Sequence, residues 1–210
     1  MKRLISGLIG LGLALSSTHA ALAHDKHVHK QAPQRVVVAA QTKGMPAALK
    51  FEFGGPFSLI DHHGERRTDK DFHGQHMLVF FGYAQCQSIC PVGLGRMAQA
   101  LKDLGPTADR VQPIFITVDP DNDSPDVIAA HVRTIHPRMI GLTGSKSELQ
   151  AGARAYKVQT KLLSKPGDKE PIYAHGSFIF LMKPDGKFAT LFPPVLGAEA
   201  IAASVRRYVE

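Results

Sequence analysis

Apolar residues fall into a few well-separated patterns along the chain. Met77-Leu78-Val79-Phe80-Phe81 is short, bulky and continuous, the pattern of a buried strand, and Gly82 ends it. Pro91 then opens a segment in which Leu94, Met97, Ala98 and Leu101 recur at helical spacing. Proline suits a first turn, where its missing N–H would have no helical partner. Val111 to Val118 reads as a second buried strand, followed by the polar loop Asp119-Pro120-Asp121-Asn122-Asp123. Ser124 caps the next helix, with Pro125 at its first position and Asp126 in its first turn. Met139 to Leu142 is a short strand, and Ser145 caps a helix reaching about Tyr156. Lys157 to Leu163 alternates only in places, and 164–171 is a polar loop. Ser177 to Met182 is a strand that turns at Lys183-Pro184-Asp185-Gly186 into a hairpin partner, Lys187 to Leu191. A last helix covers Ala198 to about Tyr208. Ahead of all this, Lys50-Phe51-Glu52-Phe53 and Phe57-Ser58-Leu59-Ile60 alternate on either side of Gly54-Gly55-Pro56, which predicts an N-terminal β-hairpin.

In order, the elements are strand, helix, strand, helix, then hairpin and helix. Alternating βαβ followed by ββα predicts an α/β domain of thioredoxin-like order. No internal repeat interrupts it.

The first residues stand apart. Lys2 and Arg3 form a basic start, Leu4 to Leu15 is apolar, and Ala21-Leu22-Ala23 has the small-x-small form of a cleavage site. This predicts a signal peptide over 1–23. The apolar run is shorter than the roughly 20 residues a spanning helix needs, so no membrane span is expected in the mature chain. The mature protein would begin at His24 in an oxidising, bacterial-type periplasm. His24, His27 and His29 follow in a polar stretch, and 24–46 reads as a flexible tail and linker, with the histidines either incidental or able to hold a borderline metal. Residues 47–210 form the domain. The whole chain carries 25 Lys and Arg against 18 Asp and Glu, an excess of +7 that falls to +5 once Lys2 and Arg3 are removed. No basic run interleaved with aromatics points to nucleic acid.

The chemistry concentrates in Cys86 and Cys90, the chain's two cysteines. They lie between the end of a buried strand and the start of a helix, where unpaired N–H groups and the helix dipole favour thiolate over thiol. Such a pair can close a disulfide, remain as buried thiols, or hold a soft metal together. In a thioredoxin-like sheet the loop after the first central strand faces the loop leading into the last hairpin. That topology brings His175 beside the cysteines despite the distance in sequence. Two sulfurs and an imidazole suit copper, the sulfurs favouring Cu(I) and the imidazole accepting Cu(I) or Cu(II). Zinc remains chemically possible, although structural zinc sites close with four ligands. The rival is a thiol–disulfide reductase. Redox pairs in this fold usually read Cys-x-x-Cys and carry a proline immediately before the hairpin strand; here Ala174-His175-Gly176 stands in that place. A peroxidase would need an arginine in the cysteine loop, which has none. The acids of 119–123 could suggest a hard-metal site, but Pro120 and the cap at Ser124 account for them as a loop and helix start.

Three blocks together, Phe81-Gly82-Tyr83-x-x-Cys86-x-x-x-Cys90-Pro91, Val118-Asp119-Pro120-x-x-Asp123-Ser124-Pro125, and His175 ahead of an apolar strand, resemble the Sco/SenC family. The resemblance spans about Phe51 to Tyr208. It implies a thioredoxin-like three-layer fold with a central mixed sheet and an extra hairpin inserted near 157–172. It implies copper on Cys86, Cys90 and His175, and a metallochaperone, or alternatively a thiol reductant, that matures the copper centre of cytochrome c oxidase. Its partners would be the copper-bearing oxidase subunit or another periplasmic copper protein, an upstream copper donor and a thiol reductant. Family members often carry Asp directly before the ligand histidine and Ser directly after it. This chain has Ala174 and Gly176.

Overall fold

The computed structural model describes residues 52–165 and 171–210. The leader, the histidine-containing tail and the centre of the polar loop at 166–170 lie outside them.

A single sheet carries the domain. The buried run near Met77 forms β3 (His76–Gly82), every residue of which is buried. Val111–Thr117 forms β4, parallel to β3, and Ile140–Thr143 forms β5, parallel to β4, as the intervening helices require. On the other side of β3, β8 (Ile179–Met182) and β9 (Phe188–Phe192) return as the antiparallel hairpin turned at Lys183–Gly186. β1 (Ser58–Asp61) and β2 (Arg66–Thr68) complete the order β2-β1-β5-β4-β3-β8-β9. The sheet is therefore mixed.

The helices are α1 (Ile89–Leu104), α2 (Pro125–Ile135), α3 (Lys146–Ala155) and α4 (Ala198–Val209). Phe80 and Phe81 are adjacent on β3, so they face opposite sides of the sheet. Phe80 pairs in register with Phe115. Gly93 brings α1 onto Phe80, where a β-carbon would stand 2.8 Å from the ring, and His131 of α2 packs on Phe115 at 5.1 Å. α4 lies against α1. On the opposite side Phe81 and Phe180 meet Tyr156, which follows α3, at 5.3 and 5.4 Å. Helices thus cover both faces, giving three layers. Each large side chain of β3 contributes roughly 1.5–3 kcal/mol by leaving water. Gly141 lets α2 seat on β5; a β-carbon there would fall 2.1 Å from Ile128 Cγ2.

Both predicted caps form: Ser124 Oγ accepts from Val127 N–H, and Ser145 joins Glu148 in a reciprocal capping box. Two local expectations are corrected. The N-terminal hairpin pairs β1 with β2, while Glu52–Phe57 form no strand. Phe53 instead packs its ring on Phe188 and Phe180 at 4.8 and 5.9 Å, and buried Asp61 closes the β1–β2 turn. Its carboxylate accepts from the N–H groups of His63 and Glu65 and pairs with Arg67 at 2.9 Å. His62 and His63 stand in that turn, with their rings 4.0 Å apart. Finally, α1 begins at Ile89, which places Pro91 third in the helix. Its missing N–H is still costless there, because the first four N–H groups lack helical partners.

An extra hairpin lies outside the main sheet. β6 (Thr160–Leu162) pairs antiparallel with β7 (Tyr173–His175), with Thr160 opposite His175. Among the described residues no helix is long and apolar enough to cross a membrane.

Candidate metal centre

The cysteine loop hangs between two buried elements. β3 stops at Gly82, the chain turns so that Cys86 N–H donates to the Tyr83 carbonyl at 3.2 Å, and α1 takes up Cys90 in its first turn. Gly82 has a steric role here. A β-carbon on it would stand 3.0 Å from Cys90 Sγ and 3.1 Å from the rings of Phe80 and Phe115. Cys86 is 7% exposed and Cys90 is 1% exposed. Both thiols are free.

His175 arrives from the extra hairpin, at the end of β7. Gly176 N–H donates to the Gln159 carbonyl at 3.3 Å and fixes the chain just beyond it. His175 Nδ1 lies 3.3 Å from the Gly176 carbonyl. A carbonyl can only accept, so this contact puts the ring proton on Nδ1 and turns the Nε2 lone pair toward the sulfurs. Nε2 stands 3.4 Å from Cys90 Sγ. The ligand atoms of Cys86, Cys90 and His175 all lie within 4.8 Å of one another, forming the one such cluster of three or more among the described residues.

The thiols are not alike. Burial pushes Cys86 up, but hydrogen bonds involving Cys90, the N–H groups of Ser88 and Cys90, and the Ser88 hydroxyl outweigh it and leave the thiol below its ordinary range. Burial pushes Cys90 far above that range, and Cys86 beside it adds to the effect. The expectation that the helix start would ionise both thiols is therefore corrected. Cys90 sits too deep for the dipole to offset its desolvation. Burial also lowers His175, against the Gly176 contact, so the imidazole is neutral near pH 7. A neutral imidazole, one readily ionised thiol and one that loses its proton to a bound cation make a donor set matched to a soft, thiophilic metal. Three donors leave a coordination position open.

Sequence reasoning missed the braces. The acids of 119–123 are not ligands. Asp123 is buried, accepting from Ala84 N–H at 3.0 Å and from the Thr117 hydroxyl, which ties the cysteine loop to the end of β4. Burial raises its pKa. Asp119, also buried, accepts from the Asn122 amide and from the Tyr173 hydroxyl at 3.1 Å, which ties in the hairpin two residues before His175. Tyr83 packs on Tyr173 at 5.4 Å and on the His175 ring at 6.1 Å. The loop-and-cap reading of these acids agrees with the cap at Ser124, but their spacing carries no sign of the tie to both halves of the centre. His62 and His63, in the β1–β2 turn, and His73 and His76, at the far end of β3, do not join it. His24, His27 and His29 lie outside the described residues.

The chain is similar to known proteins over most of its length. The chain is 35% identical over 202 residues to human protein SCO1 homolog, mitochondrial, covering 95% of this chain and 65% of the human protein. Its identity to bovine protein SCO2 homolog, mitochondrial, is 35% over 210 residues, 99% of this chain and 75% of that one. Among solved structures, Bradyrhizobium japonicum ScoI with copper bound superposes with a TM-score of 0.68 at 35% identity, covering 74% of this chain and 99% of that one. Yeast Sco1 with copper bound gives 0.69 at 31%, covering 76% and 89%. A family profile described as SCO1/SenC matches residues 45–210. With that profile running through the whole described domain, on a thioredoxin-like fold whose cysteine loop and histidine meet beyond the end of its central strand β3, the chain belongs to the SCO1/SenC family.

Proposed function

We propose that this chain is a periplasmic copper-binding metallochaperone in which Cys86, Cys90 and His175 hold the ion as cargo. It delivers copper to, or matures the copper centre of, cytochrome c oxidase. The observation that carries this reading is the convergence of two sulfurs and the Nε2 lone pair within 4.8 Å. The copper-bound ScoI and yeast Sco1 structures support it. In the proposed organisation 1–23 is a cleaved leader, 24–46 a linker and 47–210 the working domain. The curated relatives are mitochondrial by name, and the periplasmic assignment rests on the leader-like sequence of this chain.

Loading would proceed with loss of the thiol protons, Cys86 first because its thiolate is already favoured and Cys90 as the cation arrives. Gly176 holds the His175 proton on Nδ1, so Nε2 needs no rearrangement to bind. Release would follow by exchange, the recipient's thiols or imidazoles replacing the three donors in turn through the open position. Oxidation of the cysteines to a disulfide removes two electrons and two protons and takes away both sulfur donors, so a reductant must restore them. A dithiol reductase would use the same pair, but it gives His175 no task.

The test is a copper titration of the reduced domain lacking residues 24–30, followed by absorption and electron paramagnetic resonance. One tight equivalent with thiolate-to-Cu(II) charge transfer, altered in His175→Ala, is expected. Unchanged stoichiometry in Cys86→Ser overturns the assignment. Full disulfide-reductase activity in His175→Ala, with no tight copper in the parent, moves it to the reductase. Loss of most bound metal on deleting 24–30 alone would make the histidine tail the binding site.

A further inference from the structure

The metal centre opens sideways into a groove of about 1170 Å³, bounded by the end of α3 and the segment after it on one side and by residues 174–180 on the other. His175 is among the residues that line it, so a segment seated along that side lies beside the centre. Tyr156 and Phe180 give it a buried aromatic floor, and Phe178 stands 42% exposed at its side. Its charges have one sign. Arg154, Lys157 and Lys161 line it and are exposed, and no carboxylate lines it among the described residues. None of the three cations is ion-paired among those residues. Lys157 is also the one non-glycine residue described with a left-handed backbone, φ 55°. The position just past a helix end usually goes to glycine, which adopts that conformation without steric cost. Here a lysine occupies it and adds its charge to the groove.

We propose that this groove docks an acidic segment of the metal-receiving protein, one that also carries an aromatic or aliphatic anchor. The inference rests on reading the centre as one that hands its metal on. Carboxylates on the segment meet Arg154, Lys157 and Lys161, and its anchor lies on Phe178 and the aromatic floor. Such docking sets the recipient's own ligands beside His175, the donor nearest the groove. A one-sign rim around an apolar floor speeds encounter and selects orientation. Ala174 lines the same groove; an aspartate there would put a carboxylate among the cations and oppose the segment. The departure at 174 therefore acts on partner choice.

The probe is a fluorescein-labelled peptide alternating Asp or Glu with Leu and Phe, titrated by anisotropy into the metal-free mature chain beside its Asn/Gln isostere. The acidic peptide should bind more tightly than the isostere, and its affinity should fall about tenfold in Arg154→Glu/Lys157→Glu/Lys161→Glu and again at about 0.5 M salt. Backbone amide signals of 157–161 and 174–178 should shift on binding. Copper stoichiometry should stay that of the parent in the triple variant, which shows that the variant folds and keeps docking separate from metal binding. Equal affinity for the two peptides, or unaltered affinity in the triple variant, overturns the proposal. So does a charge-dependent response to phosphatidylglycerol vesicles without peptide binding. Groove signals that move on deletion of 24–46 would give the groove to the chain's own tail, and groove-dependent dimerisation to a second copy. If Cys86→Ser retains full copper, the handover reading fails whatever the peptide does.

Discussion

Cys86 and Cys90 hang between β3, all of whose residues are buried, and α1, which packs on Phe80 through Gly93. Asp123 braces their loop from the segment after β4. His175 ends a three-residue strand whose partner, β6, is exposed along its length. A two-stranded ribbon of this size has little stability of its own. One half of the centre is part of the core, and the other is an arm laid against it. What holds the arm is local: the Tyr173–Asp119 hydrogen bond, the Gly176–Gln159 contact, and edge packing of the His175 ring on Tyr83 and Phe80. The difference teaches that sulfur geometry is inherited from folding, whereas imidazole geometry is set by a few contacts that open without unfolding the domain.

The largest effect tests the core half. Cys90→Ser should abolish tight copper binding in an equilibrium titration against a competing chelator, because hydroxyl replaces the deeper of two sulfurs. His175→Ala should weaken binding by more than about 100-fold, beyond what loss of an outer-shell contact costs, and should shift the Cu(II) spectrum while leaving the urea midpoint near its parent value. Gly82→Ala sharpens the contrast. The new methyl presses on Cys90 and two aromatic rings, so the variant should lose about 1–3 kcal/mol of stability and bind copper less well in the same protein. Tyr173→Phe should do the reverse on the arm: about tenfold weaker copper, a spectrum moved toward that of His175→Ala, and unchanged thiol reactivity. Equal loss of stability in these last two variants would erase the distinction between core and arm.

The smallest effect concerns α3, which leads into the arm. Hydrogen bonds from Ser145, joined by Arg66, hold the Glu148 carboxyl down from its ordinary 4.5 to about 2. A depressed carboxylate stabilises the fold above its unfolded value, and the contribution is lost as pH falls through the folded one. Stability should therefore decline between pH 4.5 and about 2 through this group, by a fraction of the box's full worth because the carboxylate is solvent-screened. Glu148→Gln should flatten that limb of a urea-midpoint against pH curve. Ser145→Ala should remove about 1 kcal/mol at neutral pH.

The core half was the legible half. Val79 to Phe81 and Ile114 to Ile116 are apolar runs that can only be buried strands in this context, and Ser124 and Ser145 announce their helices by side-chain chemistry that acts within four residues. The arm was legible only through topology. Thr160-Lys161-Leu162 has no buried face, so no periodicity marks it, and its register comes from backbone hydrogen bonds. The β1–β2 pairing was hidden for a related reason. Arg66-Arg67-Thr68 is polar, and it is fixed by Arg67 reaching back to Asp61, while the apparent strand residue Phe53 serves as an aromatic contact. The inequality of the two thiols was out of reach, because it depends on depth and not on spacing.

The tyrosines around the centre have an optical consequence. The chain contains no tryptophan and four tyrosines; one of them, Tyr83, meets the His175 ring edge-on, and a second, Tyr173, packs on Tyr83. Half of the protein's ultraviolet emitters therefore stand close to the metal centre. Paramagnetic Cu(II) quenches such rings at short range and a closed-shell ion does not, so loading, oxidation state and release can each be followed in unlabelled protein by its own light.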